Sequence, residues 1–124
     1  MFALIEAIVR AHLVAETGHG AGTSTPPDLE QRTDPFHRVS RAGGADDGIT
    51  DAPLVDVETF AATRHAAAQA AEEARAAMLA LKANAVVGTL VDTVDTATGP
   101  VWLDYANPAV HRYVATYRLT LRRP

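Results

Sequence analysis

Residues 109–122, AVHRYVATYRLTLR, alternate between two kinds of side chain over an unusually long run. Successive side chains of a β-strand point to opposite faces of its sheet. One parity is apolar or aromatic and consists of Tyr113, Ala115, Tyr117, Leu119 and Leu121. The other parity carries Arg112, Arg118 and Arg122, separated by valine and threonine. The stretch therefore predicts a long strand whose apolar face meets the core and whose arginine face points away from it.

Two segments predict helices. Residues 63–82, TRHAAAQAAEEARAAMLALK, predict the main helix, because alanine is the strongest helix former and no glycine or proline interrupts the run. Its apolar stripe is mostly alanine, so the helix can approach a sheet closely, with Met78, Leu79 and Leu81 as larger anchors. Residues 2–17 predict a second, amphipathic helix, and the glycine that follows is suited to end it.

Other segments predict strands. Residues 35–44 and 53–62 flank a region rich in glycine and aspartate, which favours an antiparallel hairpin with a loop longer than a tight turn. Residues 85–100 are rich in β-branched side chains, are broken by Gly88 and end at a Thr-Gly-Pro sequence. Both faces of this segment are semi-apolar, which favours a central strand. A short strand could also form at 21–25.

The order of these elements is helix, short strand, strand, strand, helix, strand, strand. Strands joined by hairpins, with two helices between them, predict an α+β fold. We expect a single domain over residues 1–124, with a mainly antiparallel sheet and both helices packed on one face.

Composition excludes several classes of protein. The net charge of −4 at pH 7 gives no global basic surface for nucleic acid, and the absence of cysteine excludes disulfides and thiolate chemistry. The apolar N-terminus lacks the basic region of a signal peptide and is interrupted by Glu6 and Arg10. No stretch approaches the ~20 apolar residues of a membrane span. We expect a soluble protein made in a cytoplasm.

No motif predicts a catalytic, cofactor-binding or metal-binding residue. The five histidines form no HxxxH or HxH pair, and the aspartates at 46, 47 and 51 lack the spacing of a calcium loop. Neither serine lies in a nucleophile elbow. The GHGAG sequence at 18–22 follows a predicted helix, which is the reverse of the strand-to-helix context of a dinucleotide site. We therefore expect a protein that is not an enzyme.

The arginine face is the main candidate for a binding surface. A nucleic-acid interface would place aromatic side chains among the arginines, whereas Tyr113 and Tyr117 have the opposite parity. A subunit contact or a solvated face fits better, since arginine is well suited to ion pairs at interfaces. The interface candidates are Arg112, Arg118 and Arg122, with Asp46 and Asp47 among the possible acidic partners.

Two aromatic residues precede the last strand. Trp102 and Tyr105 are predicted to lie in the loop before it. They either pack locally or anchor an interface, since aromatic side chains often carry binding energy.

The order of short motifs resembles that of the tail terminator proteins of long-tailed (siphovirus-type) phages, especially those of actinobacterial phages and prophages. A strand ending in RxGG and a DxPxVxVxxFA strand come first. An alanine-rich helix follows, then GP, an NP break and a final RYxxTxxLxxR strand. The matching positions are Arg41, Gly43, Gly44, Asp51, Pro53, Val55, Val57, Phe60, Ala61, Gly99, Pro100, Asn107, Pro108, Arg112, Tyr113, Thr116, Leu119 and Arg122. Ten arginines to one lysine agree with an actinobacterial source.

This resemblance implies a virion structural protein without cofactors. Such proteins form a hexameric ring on the head-proximal end of the tail tube, stop tube polymerisation and join the tail to the head connector. The implied partners are further copies of the chain, the tail tube protein and the connector protein. DNA passes through the ring, and no membrane is involved. The ring belongs to the virion tail and is assembled in the cytoplasm of the bacterial host.

Two other interpretations remain open. Another head–tail connection protein, such as a head-closure or tail-completion component, would share this size and strand-rich architecture. A small α+β ligand-binding module, or a dimeric nucleic-acid binder, belongs to a different class. A specific small-molecule ligand or salt-dependent DNA affinity would indicate that second class.

Overall fold

The structure is a computed structural model that describes residues 1–123 and contains two helices and one six-stranded sheet. The helices are α1 (Ile5–Thr17) and α2 (Arg64–Ala80). The strands are β1 (Gly20–Gly22), β2 (Phe36–Asp46), β3 (Thr50–Ala61), β4 (Asn84–Val86), β5 (Thr89–Leu103) and β6 (His111–Arg122). One 3₁₀ turn lies at Leu29–Gln31.

The sheet has the strand order β1-β2-β3-β6-β5-β4. The short pairing of β1 with β2 is parallel, and the other four pairings are antiparallel. The predicted α+β class with a mainly antiparallel sheet is therefore confirmed. The long strand predicted from residues 109–122 is β6, which lies between β3 and β5.

Both helices pack on the same face of the sheet, as predicted. The main core joins apolar residues of α1 and α2 to Val55 and Val57 of β3 and to the apolar parity of β6. On α2, alanines form most of the buried stripe, and Met78 is fully buried among them. Leu79 was predicted to be an anchor and is instead 44% exposed, because its position is turned away from the sheet.

Local sequence explains the helix ends. The Thr63 hydroxyl accepts a hydrogen bond from the Ala66 amide at 3.1 Å, which caps the N-terminus of α2. Gly18 has φ +75° and ends α1 in the left-handed conformation that glycine adopts without strain. Helix α1 begins at Ile5, three residues later than predicted.

The connection between β2 and β3 is tighter than predicted. The two strands pair as far as Asp46 and Asp51, so most of the expected polar loop is strand. The Asp47 amide donates to the Thr50 carbonyl at 3.1 Å across the turn. Glycines in the left-handed region at 43 and 44 let β2 bend past a register shift without leaving the ladder.

Strand β5 differs most from the prediction. It continues through Gly99 and Pro100 to Leu103, so Trp102 lies in a strand and not in a loop. Strand β4 pairs only with residues 89–91, which leaves the rest of β5 at the edge of the sheet. The prediction of a central strand therefore holds only for the start of β5, where β4 lies on its other side. Register shifts between 96 and 101 accommodate the glycine and proline, which an edge strand tolerates.

Candidate assembly interface

The side of the sheet opposite the helices is here called the open face. Side-chain alternation and strand register assign residues to it. It includes Arg38, Ser40, Leu54, Asp56, Glu58, Val101, Leu103, Arg112, Val114, Thr116 and Arg118. Near Phe36 and Phe60 a small cluster with Val110 covers one end of this face. The predicted arginine face of β6 is thus the centre of the open face.

Arg112 is held inside the subunit. Its Nη1 atom donates to Glu58 Oε2 at 3.3 Å and its Nη2 atom donates to the Asp104 carbonyl at 2.7 Å. The Glu58 carboxylate also accepts from Arg38 Nε at 2.8 Å, and its side chain is only 9% exposed. Glu58 therefore links β2 to β6, and both Nη atoms of Arg112 donate to groups of its own chain.

Arg118 has a different environment. It is exposed on β6 and stands in register between Leu54 of β3 and Asp95 of β5. Within residues 1–123 its guanidinium has no hydrogen-bond or ion-pair partner. A cation with five free donors in the middle of the open face can contact a carboxylate outside the subunit.

Arg122 forms an exposed ion pair. Its Nη2 atom lies 3.2 Å from Asp92 Oδ1, and its side chain is 63% exposed. Such surface pairs contribute little to stability and exchange readily for other partners. Arg122 therefore remains available for a contact outside the subunit.

The two acidic candidates hold the turn between β2 and β3. Asp46 Oδ1 accepts from the Gly48 amide at 2.9 Å. Asp47 Oδ1 accepts from the amides of Thr50 at 2.6 Å and Ile49 at 2.9 Å, and these bonds lower the pKa of the Asp47 carboxyl. Both carboxylates are exposed at the tip of the hairpin. Their hydrogen bonds explain the need for aspartate there without any partner.

Trp102 and Tyr105 pack within the chain. Trp102 is on the helix side, opposite Tyr113, with the Arg64 guanidinium 4.5 Å from its ring centroid. Its buried Nε1 atom has no hydrogen-bond partner. The Tyr105 ring meets Phe60 edge-on, with 5.2 Å between centroids. These contacts favour the local-packing interpretation of both aromatic residues.

Several motif residues that sequence reasoning gave no role prove to be structural. The Arg41 guanidinium bonds both oxygens of the buried Asp51 carboxylate at 2.8 Å. Gly44 has φ +95°, and a Cβ there would collide with the Ala52 carbonyl oxygen. Asn107 accepts from the Ala109 amide at 2.9 Å and so holds the break before β6. Hairpin spacing could not have predicted the pairing of Arg41 with Asp51, because their register partners are Val55 and Asp46.

Two histidines form hydrogen bonds between neighbouring elements, one between the two helices and one between β2 and β3. His12 Nε2 lies 2.6 Å from the Ala77 carbonyl, and His37 Nδ1 lies 2.9 Å from the Thr59 hydroxyl. Burial, with the nearby His19 as a smaller cause, lowers the pKa of His37 to about 4. Within residues 1–123, no group of three histidine or carboxylate side chains is arranged to hold a metal ion.

Over residues 1–123, neither helix combines the length and apolar character needed to cross a bilayer.

The chain was compared with family models, curated proteins and solved structures, and only the solved structures give matches. No family model matches the chain, and no curated protein matches it. Among solved structures, the chain is similar to one from the "Virion of native gene transfer agent (GTA) particle", with a TM-score of 0.68 and 13% identity. The likeness covers 95% of this chain and 94% of that chain. At this level of identity it shows that the two chains share a fold over almost their whole length.

Proposed function

We propose that the chain is a structural protein of a phage-type virion, and more narrowly a tail terminator. In this role it caps the tail tube as a ring, ends tube polymerisation and joins the tail to the head connector. The observation that carries the proposal is the fold shared, nearly end to end, with a chain of a gene transfer agent virion. The ordered motifs of the sequence narrow the proposal to the terminator.

The motif residues support the same architecture. Arg41, Asp51 and Gly44 fix the hairpin between β2 and β3, and the Asn-Pro pair at 107–108 fixes the entry to β6. These residues hold the sheet in shape and carry no chemistry of their own. A motif set of this kind suits a protein whose surface, and not a reactive group, performs its function.

The open face supports an assembly role. It is a broad sheet surface that neither helix covers. Val101 and Leu103 are exposed near the end of β5, and Arg118, which has no partner among residues 1–123, lies further along the same face. Mixed apolar and arginine surfaces are typical of protein interfaces. In the proposed ring, Arg118 contacts an acidic neighbour or lines the channel through which DNA passes. Arg112 has a structural role and does not contact a partner.

The proposed function is tested with purified chain and purified tail tubes. Light scattering after size exclusion should detect a species of six copies, which for a 13.1 kDa chain has a mass of about 79 kDa. Electron micrographs of tubes incubated with the chain should show one ring at one end. Tube protein that polymerises in the presence of the chain should give shorter tubes than tube protein alone.

The main alternative gives a different result in the same experiment. A head-closure or tail-completion protein would bind the connector or a finished tail and leave tube length unchanged. A chain that neither forms rings nor binds tubes, but binds DNA with a steep salt dependence, would overturn the proposal.

A further inference from the structure

Two grooves of similar size lie on different parts of the molecule. One has a volume of about 310 Å³ and lies between the β4–β5 turn and the end of β6. Its lining includes Arg122 and Arg123 and no carboxylate. The other has a volume of about 280 Å³ and lies between the end of α1 and the outer side of α2. Its lining includes Glu16 and Glu73 and no cation, so the two grooves have opposite charge.

The first groove lies within an apolar surface that we call the turn patch, defined as Ile49, Val87, Leu90, Arg122 and Arg123. Its members meet at one end of the sheet, where the Arg123 amide donates to the Ile49 carbonyl at 3.1 Å. Three large apolar side chains are exposed there: Val87 at 71%, Ile49 at 65% and Leu90 at 45%. An apolar centre with arginines beside it has the composition of an interface.

Val87 is in a strained conformation. It has φ +51°, and with Gly88 at φ +76° it forms the two-residue turn between Val86 and Thr89. This turn type favours Asn-Gly, and a β-branched residue with positive φ is a genuine outlier. The exposed Val87 side chain gains nothing from packing inside the chain. Strain at such a position points to a contact outside the subunit.

The second groove, here called the helix groove, has the complementary character. Ala76 and Ala80 form an apolar floor between Glu16 and Glu73. Leu79 lies three residues from Ala76 on the same helix and is 44% exposed. The groove thus offers small side chains for an apolar knob, carboxylates for arginines, and a leucine that can pack beside the knob.

We propose that the turn patch of one copy docks into the helix groove of the next copy. Val87 enters between Ala76 and Ala80, and the arginines of the turn patch face Glu16 and Glu73. Because the two surfaces differ, the contact is head-to-tail and can close into a ring. A second copy is the occupant because both complementary surfaces belong to this one chain. The inference rests on the proposed ring and names the surfaces that form it.

The first test uses the absence of cysteine from the chain. Val87→Cys and Ala76→Cys are made separately, mixed and oxidised. The mixture should give a disulfide-linked dimer, each variant alone should give little disulfide-linked dimer, and a double variant should give a ladder of linked oligomers. Thr33→Cys, in an exposed loop, replaces Val87→Cys in the matched control and should give no dimer. Absence of the mixed dimer at millimolar concentration, or equal dimer from each single variant, would overturn the proposal.

The second test reverses charge. Arg123→Glu and Glu73→Arg should each weaken self-association about tenfold, and combining them in one chain should restore most of it. Asp28→Arg, in an exposed loop segment without a side-chain capping bond, is the control and should have no effect. Failure of the double variant to recover would show that these two residues do not face each other across the contact.

The third test separates association from folding. Val87→Asn removes the strain of the turn, so this variant should unfold at a higher temperature and yet associate at least about tenfold less tightly. If the variant both unfolds at a lower temperature and associates less tightly, Val87 acts on the fold alone. Tubes capped by rings without any Val87–Ala76 cross-link would refute the contact and leave the proposed function intact. Cross-linked oligomers that never cap a tube would support the contact and refute the proposed function.

Discussion

Glu58 binds two guanidinium groups on the open face while its own side chain is almost buried. The alanine variant Glu58→Ala would leave Arg38 and Arg112 close together without their shared counter-ion. Since both arginines are partly solvated, we expect the free energy of unfolding to fall by about 2 kcal/mol, less than for a fully buried pair. Urea denaturation measures this change.

A surface pair supplies the control for Glu58. Asp92→Ala removes the ion-pair partner of the largely exposed Arg122. This variant should lower the free energy of unfolding by less than about 0.5 kcal/mol. Equal losses in the two variants would show that the Glu58 network contributes no more than an exposed ion pair.

His37 makes stability depend on pH. Its pKa is lowered to about 4 in the folded chain, so between that pH and 6.5 the unfolded chain binds the additional proton. The free energy of unfolding should therefore fall as pH decreases through this window, by about 3 kcal/mol at its lower end. Denaturant titrations at several pH values measure the slope. The control is His37→Gln, which should lose that part of the slope; an unchanged slope would assign it to other groups.

At the scale of the elements, the hairpin between β2 and β3 depends on one glycine more than on its neighbour. Both Gly43 and Gly44 have positive φ, but only at Gly44 would a Cβ collide with backbone. We expect Gly44→Ala to cost about 3 kcal/mol or more and Gly43→Ala about 1 kcal/mol. Thermal unfolding of the two variants compares them. Similar losses would mean that the hairpin shifts to admit the methyl group.

Strand β5 shows which elements could be predicted from sequence. Strand β6 and helix α2 have uninterrupted periodicity, and the structure has them within two residues of their predicted ends. Strand β5 contains Gly99 and Pro100, which usually end a strand. Two register shifts let it continue, and such shifts depend on pairing with β6 and leave no pattern in the sequence of β5 itself.

The same limit applies to the candidate site. Alternation placed Arg112, Arg118 and Arg122 on one face, and this was correct. Alternation could not show which of the three arginines has a partner within the chain, because those partners come from distant segments: Glu58 for Arg112 and Asp92 for Arg122. The exposure of Val87 could not be predicted from the sequence either, since valine in a β-branched run predicts a strand and not the tip of a turn.

At the scale of the whole molecule, the surfaces that stabilise the fold differ from those available for assembly. The helices bury one face of the sheet, and the aromatic cluster with Val110 covers one end of the other. The surfaces left uncovered include the centre of the open face, the turn patch and the helix groove. A ring built from such subunits can use the turn patch and the helix groove for contacts between copies and keep the open face for the channel or for the adjoining tube.

Arg118 and Arg112 should therefore respond in opposite ways to the same substitution. Arg118→Ala removes a side chain that has no partner among residues 1–123, so the free energy of unfolding should change by less than about 0.5 kcal/mol. Its assembly onto tail tubes should weaken about tenfold, as for an arginine that anchors an interface. Arg112→Ala should instead lower stability by about 1–2 kcal/mol, because it leaves the nearly buried Glu58 with one partner fewer. Tube-binding titrations beside urea denaturation separate the two effects, with the exposed Lys82→Ala as a neutral control. Normal tube binding by the Arg118 variant would contradict a contact role for the open face. Equal loss of stability in both variants would contradict the division between structural and assembly arginines on which that role depends.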